Sequence, residues 1–438
     1  MQTKIDFIEG NTKHCLMAMA LPMIAAMFLN MAYNLVDSLW IGNLLGETAY
    51  AALTNSTPII LILTSVAMGA TNGISILLSQ AIGAKNQKRV ERLIATSFIV
   101  AIVFSLMITF VLEIFLPYIL TVLNTPAETY DMACSYLSIY VLGYLAVYLY
   151  LYFTAVLRSF GNSMFQAVAM LVSTVLNAIL DPVFIHFVGF HGAAIATLLS
   201  QGICLIFMVV YLKRKKLFSL HITWFDKADV LPIIKKAIPS VVQQSIPAIS
   251  TTFLTALVST YSITAIAAYG ITGKLEMILF YPAMALNMVL TTIVGQCIGG
   301  QRIDRAKDYL KCALKYGCIL LFILSVVIVI FSRQLSGFFV SNTDVATIVG
   351  VYFLTVSIGY VLNTVTNCFL GVLNGLGKPA KSMLLMIFYY IIVRMPLAYL
   401  LSFLGFGLNG IWVAVLVSHI CAAVASMLVS LLQIKSKK

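Results

Sequence analysis

Charge is what this sequence has least of. Of 438 residues only 15 are Asp or Glu and 27 are Lys or Arg, so 10% are charged against 61% hydrophobic. A soluble domain carries about 25% charged residues. No soluble fold has interior enough for so much apolar surface, whereas a bilayer accepts it directly. Histidine is scarce, with five copies. No His and Cys stand together at metal-ligand spacing and H-E-x-x-H is absent, which excludes the familiar zinc sites. G-x-x-x-x-G-K-[ST] is absent too, so ATP hydrolysis on a P-loop drives nothing directly. The eight cysteines (Cys15, Cys134, Cys204, Cys297, Cys312, Cys318, Cys368, Cys421) form no C-x-x-C pair. They lie mostly inside or at the ends of apolar runs and read as small packing residues. No catalytic constellation is found, so neither an enzyme nor an organic cofactor is expected.

What is present is apolar and periodic on a large scale. Runs fall near 15–41, 51–80, 93–116, 132–157, 164–187, 192–212, 236–260, 265–298, 313–332, 347–373, 383–403 and 408–434. Each is long enough to cross a hydrocarbon core of about 30 Å, which takes about 20 helical residues. The first run is too long for a signal peptide and no small-residue cleavage site follows it, so it is expected to be a retained span. The net charge of +12 does not point to nucleic acid, because the basic residues sit in short loops. One set of loops carries Lys85, Lys88, Arg89 and Arg92; Arg158; Lys213 to Lys216, Lys227, Lys235 and Lys236; Arg302, Arg305, Lys307 and Lys311; Lys378 and Lys381. The other set carries Arg333 alone. Positive loops mark the cytoplasmic side. The tails, with Lys4, Lys13, Lys435, Lys437 and Lys438, fall on that side as well, as an even number of spans requires.

The chain also repeats itself. Ser79-Gln80-Ala81-Ile82-Gly83 closes span 2 and Gly295-Gln296-Cys297-Ile298-Gly299 closes span 8, at an offset of 296 − 80 = 216. Val156-Leu157-Arg158-Ser159-Phe160-Gly161 matches Val372-Leu373-Asn374-Gly375-Leu376-Gly377 at the same offset, and Leu21-Pro22 matches Ile238-Pro239 at 217. Six spans per copy is an even number, so both copies enter the bilayer in the same direction. The expected fold is an all-α membrane protein of about 12 transmembrane helices in two pseudo-symmetric six-helix lobes, residues 1–218 and 219–438. The basic stretch from Lys213 to about Lys235 is the linker.

A carboxylate in mid-span costs roughly 2.5–3.5 kcal/mol on insertion scales, so the acidic residues of the spans mark candidate sites. In span 1, Asn30, Asn34 and Asp37 are spaced i, i+4, i+7, with Tyr33 adjoining, which predicts one polar helix face. An interfacial position near the end of the span is the plainer reading of Asp37. In span 5, Asn177 and Asp181 share a face, and Pro182 withholds an N–H from the carbonyl of Ala178. Such oxygens suit a proton or a small hard cation such as Na⁺ at Asp37, Asn177 and Asp181; a structural hydrogen bond is the alternative. Span 4 carries Tyr136, Tyr140, Tyr144, Tyr148 and Tyr152 at i+4 spacing, either a surface for organic cations or a packing ridge. The second half has no partner for Asp37, since 37 + 217 is Leu254. It carries Lys274 and Glu276 in span 8 and Arg394 in span 11, near the counterpart of Asn177 (177 + 217 = 394). Asn363 and Asn367 in span 10 line a wet cavity or serve as interhelical glue. Pro22 leaves the carbonyl of Ala18 without its helical partner and makes that turn easier to bend. It stands 37 − 22 = 15 residues from Asp37, about 22 Å along a straight helix, as a hinge or as a static kink.

Taken in order, Leu21-Pro22, Asn34-Leu-Val-Asp37, Gln80-Ala-Ile-Gly83, Leu180-Asp181-Pro182, Gly192-Ala-Ala-Ile-Ala-Thr197 and Gln296-Cys-Ile-Gly299 make the sequence resemble the multidrug and toxic-compound extrusion family over nearly its whole length. The resemblance implies two six-helix lobes in a V and export of small amphipathic, often cationic, compounds in exchange for H⁺ or Na⁺ from a plasma-membrane carrier with both termini cytoplasmic. It implies a cation site at the positions of Asp37, Asn177, Asp181 and Thr197, with a bend at Pro22. Asn30, Tyr33, Asn34, Tyr136, Tyr140, Lys274, Glu276, Asn363, Asn367 and Arg394 are then the candidate substrate contacts. Partners are small molecules and the bilayer, with a monomer expected. An acidic site on spans 7 and 10, seen in some branches, has no residues here. The rival major facilitator pattern fails at Gly83-Ala-Lys-Asn-Gln-Lys-Arg-Val-Glu, which lacks its Asp-Arg. A flippase or an exporter of a lipid-linked or other specific metabolite on a related fold is the alternative function.

Overall fold

The computed structural model describes residues 5–123, 125–215, 221–339 and 342–436. Among them there is no strand. The helices are α1 (Thr12–Leu45), α2 (Glu47–Gly83), α3 (Gln87–Val122), α4 (Ala127–Leu142), α5 (Tyr144–Ser159), α6 (Met164–Val188), α7 (Phe190–Lys215), α8 (Lys227–Ser259), α9 (Ile263–Gly299), α10 (Ile303–Gly337), α11 (Thr343–Gly375), α12 (Pro379–Met386), α13 (Met395–Leu401) and α14 (Gly407–Lys435). Wide π turns at Ile387–Arg394 and Ser402–Phe406 join α12, α13 and α14 into one run.

Among the described residues ten helical runs are long and apolar enough to cross a membrane, and α4 with α5, bent by 49°, makes eleven. The run Pro379–Lys435 counts as one but has 57 residues, about 85 Å at 1.5 Å per residue. That is far beyond one crossing. It breaks where Gly405 and Gly407 take positive φ of 87° and 61°, a conformation open to glycine because it has no Cβ. Two spans there bring the total to twelve, as the apolar runs predict.

The repeat is written into the element boundaries. Adding 216 to the ends of α2 gives 263 and 299, the ends of α9; the start of α3 maps to 303, the start of α10; the start of α4 and the end of α5 map to 343 and 375, the ends of α11. Left-handed residues recur at the same offset: Lys85 with Gln301, Gly161 with Gly377, Gly189 with Gly405. The turns at Gly161 and Gly377 are closed alike, by N–H bonds to Arg158 and Asn374 carbonyls at 2.8 Å each. One difference stands out. Gly143 breaks α4 from α5, whereas its counterpart Gly359 lies inside an uninterrupted α11.

Two compact units form. The N-terminal unit comprises Ala25–Leu78 and Asn86–Ala237; the C-terminal unit comprises Met1–Ile24, Ser79–Lys85 and Ile238–Lys438. The boundary at 218/219, like Lys4, Lys216, Lys437 and Lys438, lies outside the described residues. Each unit contains the lead-in to the other half's first helix. In the N-terminal unit, Arg92 of α3 pairs with Asp226 at 3.0 Å and Asp229 at 2.6 Å. In the C-terminal unit, Arg305 of α10 donates to Thr12 Oγ1 at 2.9 Å and to the Gly10 carbonyl, and buried Phe7 packs edge-on against Tyr309. The C-terminal unit also explains the Gln-x-x-Gly repeat. A Cβ on Gly83 would lie 2.0 Å from the Gln296 carbonyl oxygen, and one on Gly299 would lie 2.0 Å from that of Gln80. The two helix ends cross backbone to backbone, which only glycine allows.

Candidate functional site

In the N-terminal unit, α6 is exposed along Leu171, Val175, Ile179 and Val183 but buries Asn177 and Asp181 completely. The i, i+4 spacing read from the sequence places them on one inward face, where Asn177 Nδ2 donates to Asp181 Oδ1 at 2.8 Å. From α1, Asp37 meets Asp181 with the two carboxylates in hydrogen-bonding range of each other. From α7 come Thr197 and Ser200, both buried. Ser200 Oγ lies 3.2 Å from the Tyr33 hydroxyl and donates to the Thr197 carbonyl at 2.9 Å. Thr174 of α6 donates to the Leu29 carbonyl at 3.3 Å and holds α1 against α6.

Four oxygens in this cluster are buried with no hydrogen-bond partner: Asp37 Oδ1, Asn177 Oδ1, Asp181 Oδ2 and Thr197 Oγ1. Such atoms are rare, because leaving one unmatched costs roughly 1–3 kcal/mol or more. Two facing buried carboxylates also repel unless a proton or cation lies between them. Carboxylate, amide and hydroxyl oxygens are the donor set a hard cation takes.

In the first half the structure changes one reading and narrows another. The buried line of span 1 is Tyr33 and Asp37, not Asn30, Asn34 and Asp37. Asn34 is exposed and its amide donates to the Asn30 carbonyl at 2.8 Å, within its own helix. On a 3.6-residue period Tyr33 and Asn34 flank Asp37 on opposite sides, at about 40° and 60°, so spacing admits either side and packing buries the first. The tyrosine ridge is interior. Tyr136, Tyr140, Tyr144, Tyr148 and Tyr152 are all 5% exposed or less, Tyr136 lies 5.0 Å from the Phe190 ring, and the lower three fill the core, with Tyr144 and Tyr152 bonded to the Leu63 and Ile94 carbonyls. No ring face of Tyr136 or Tyr140 lies open here. Pro22 is buried inside α1, which runs through it without a break.

The C-terminal unit builds a different cluster. Glu276 of α9 is partly exposed; the hydroxyls of Tyr352 and Tyr360 on α11 both donate to its Oε1. Arg394, 6% exposed, closes the π-turn segment. Its Nε donates to Ser418 Oγ at 2.9 Å and its Nη2 to the Tyr389 hydroxyl at 2.8 Å, with His419 Nε2 at 3.3 Å. His419 Nδ1 is 2.6 Å from the same hydroxyl. The guanidinium lies over the rings of Tyr389 and Tyr390, at 4.8 and 4.5 Å. Gly359 makes the room: a Cβ there would lie 2.6 Å from the His419 ring.

Lys274, two residues from Glu276, is exposed, with its Nζ 5.2 Å from the centre of the Phe339 ring, as residues two apart on a helix diverge. Asn363 and Asn367 are bonded to each other, and Asn287 Nδ2 donates to Asn367 Oδ1 at 3.2 Å, tying α9 to α11. The offset of 216 holds on both sides of span 11, at Gly161/Gly377 and Gly189/Gly405. It therefore pairs Arg394 with Ala178 (394 − 216 = 178) and not with Asn177. His419 lies in the middle of α14. With Tyr352, Tyr360, Tyr389 and Ser418 it was missed as a site residue, although Ser418-His419 inside an apolar run was a visible signal.

The profile of the MatE family matches residues 22–183 and again 239–400, one copy in each half. The chain is 27% identical to the probable multidrug resistance protein YpnP of Bacillus subtilis, over 97% of this chain and 96% of that protein. It is 25% identical to an FAD transporter of Shewanella oneidensis, over 97% and 96%. It superposes with a TM-score of 0.94 on the outward-facing conformation of a multidrug resistance MATE family transporter of the MOP superfamily, at 22% identity, covering 100% of this chain and 99% of that one. With both halves matched, this multi-pass membrane protein belongs to the MatE family of multidrug efflux transporters.

Proposed function

We propose that this chain is a secondary antiporter that exports small amphipathic, cationic organic compounds in exchange for H⁺ or Na⁺, and that the ion binds at Asp37, Asn177, Asp181 and Thr197. The observation that carries this reading is the set of four buried, unpartnered oxygens on α1, α6 and α7. Their chemistry suits a cation, and they have no hydrogen-bond partner among the described residues. Binding a proton or Na⁺ removes the repulsion between the two carboxylates and alters what holds α1 against α6. Pro22 then serves as the place where α1 gives. Glu276, part exposed and with one oxygen held by two tyrosines, is the group on which an organic cation rests. The lysine- and arginine-rich loops support a plasma-membrane carrier with both termini in the cytoplasm. It works as a monomer and changes no covalent bond. The test is flux of a fluorescent cation in proteoliposomes, first under an imposed pH gradient and then under an imposed Na⁺ gradient. One gradient drives export by the unaltered protein. Asp37→Asn and Asp181→Asn each slow that export about 100-fold while the protein still inserts, and unaltered flux in either variant overturns the reading.

A further inference from the structure

The C-terminal unit holds two opposite charges that are not paired with each other. Among the described residues the ion pairs are Arg92 with Asp226 and Asp229, and Arg302 with Asp304; none joins Glu276 to Arg394. A tyrosine and an imidazole stand between them. Tyr360 donates to Glu276, its ring centre is 5.6 Å from that of His419, and His419 Nε2 is 3.3 Å from Arg394 Nη2. The groups in contact with Arg394 are neutral: a serine hydroxyl, Tyr389 and Tyr390, and an imidazole. A guanidinium cannot shed its proton, and Glu276 acts on it only at longer range, without an ion pair.

Each of the two groups is fixed on one side and open on the other. Glu276 Oε1 accepts both hydroxyls, while Oε2 has no hydrogen bond and is not sealed off. Arg394 spends Nε and Nη2 on the protein, while Nη1 has no hydrogen bond and is likewise not sealed off. The neutral partners set the direction of each free edge, which is what a recognition site needs and a structural salt bridge does not. Tyr269, 8% exposed, is close enough to feel both charges, so an aromatic wall accompanies the pair.

We propose that this pair is a subsite for a zwitterionic amphiphile: a cationic end against Glu276 Oε2, a carboxylate or phosphate against Arg394 Nη1, and an apolar body along the tyrosines. This rests on the reading of the chain as an exporter and names the class of compound it carries. A molecule with only the cation satisfies Glu276 and leaves the guanidinium unmatched; a molecule with both ends matches both, so discrimination follows from an unpaired group in the site.

Rhodamine B and its ethyl ester test this, since they share one cationic xanthene and differ in a free carboxylate. Binding to the full-length protein in lipid nanodiscs is read by fluorescence polarisation, with no gradient imposed. The unaltered protein binds rhodamine B roughly tenfold more tightly than the ester, the lower end of what a charge-assisted bond to a buried group contributes. Arg394→Gln brings rhodamine B down to the level of the ester and leaves the ester unchanged, whereas Arg394→Lys keeps part of the preference. Equal binding of the two dyes by the unaltered protein overturns the proposal, and this holds even if Arg394→Gln does not fold. A fall in both dyes alike in Arg394→Gln also overturns it. If the preference and its loss in Arg394→Gln are seen but no gradient drives flux, the zwitterion subsite stands and ion-driven export fails.

Discussion

The two units are copies of one scaffold that treat buried charge in opposite ways. In the N-terminal unit, two carboxylates face each other and four oxygens are left without hydrogen-bond partners. In the C-terminal unit, one carboxylate and one guanidinium are each wrapped by hydroxyls. Polar groups left unmet in a low-dielectric interior want a ligand. Groups already met on one side can afford to wait and select. The difference traces to few positions. Leu254 stands where the second half would need Asp37, and the π turns of 387–394 have no counterpart within α6. Gly143 breaks its helix while Gly359 does not, and Gly359 admits His419. Both units keep the repeated frame, and substitutions inside it made their polar clusters unlike.

The sharpest way to break this comparison is to neutralise one carboxylate in each unit. Asp181→Asn is expected to slow gradient-driven export by about 100-fold, some 2.7 kcal/mol in the barrier. Glu276→Gln should leave the dependence on the driving ion intact and change which compounds are carried. Loss of ion dependence in Glu276→Gln would mean that the roles are reversed. Flux in proteoliposomes under imposed gradients measures both.

The shared frame has its own weak point. Gly83→Ala and Gly299→Ala each drive a methyl group into a carbonyl oxygen 2.0 Å away. Each is expected to destabilise the C-terminal unit by at least the 1–3 kcal/mol typical of overpacking. A fall in melting temperature of the purified protein, similar for both variants, is the expected result.

Next in size is the wrapping of Glu276. Tyr360→Phe removes one of its two hydroxyl donors, a loss of about 1 kcal/mol. It should raise the apparent KM for exported compounds about fivefold without altering ion dependence. Asn34→Ala sits at the bottom of the scale, because the side chain is exposed and bonds only to its own helix. Export and melting temperature should stay within about 0.5 kcal/mol of the unaltered protein. A large loss of export in that variant would restore Asn34 as a substrate contact.

Much of this molecule is legible before any coordinates. Apolar length decides that the chain crosses a bilayer, since each span must bury its backbone and carry enough hydrocarbon. The 216-residue offset decides that it does so in two copies. The cost of an acid in mid-span singles out Asp37 and Asp181, and helical spacing alone joins Asn177 to Asp181. Contact between helices is different, because the 3.6-residue period gives a face but not its neighbour. Only the tertiary structure decides that Tyr33, and not Asn34, lies on the buried line with Asp37; that Ser200 joins it from α7 beside Thr197; and that Glu276 meets Tyr352 and Tyr360. It alone brings His419, 25 residues along the chain, to Arg394. It also decides that Gln80-x-x-Gly83 and Gln296-x-x-Gly299 are crossing points of two backbones. The sequence carries periodicity, length and the cost of a charge, which belong to each helix by itself. Which helix lies against which, and which oxygens are left over when they pack, belongs to the assembled units alone.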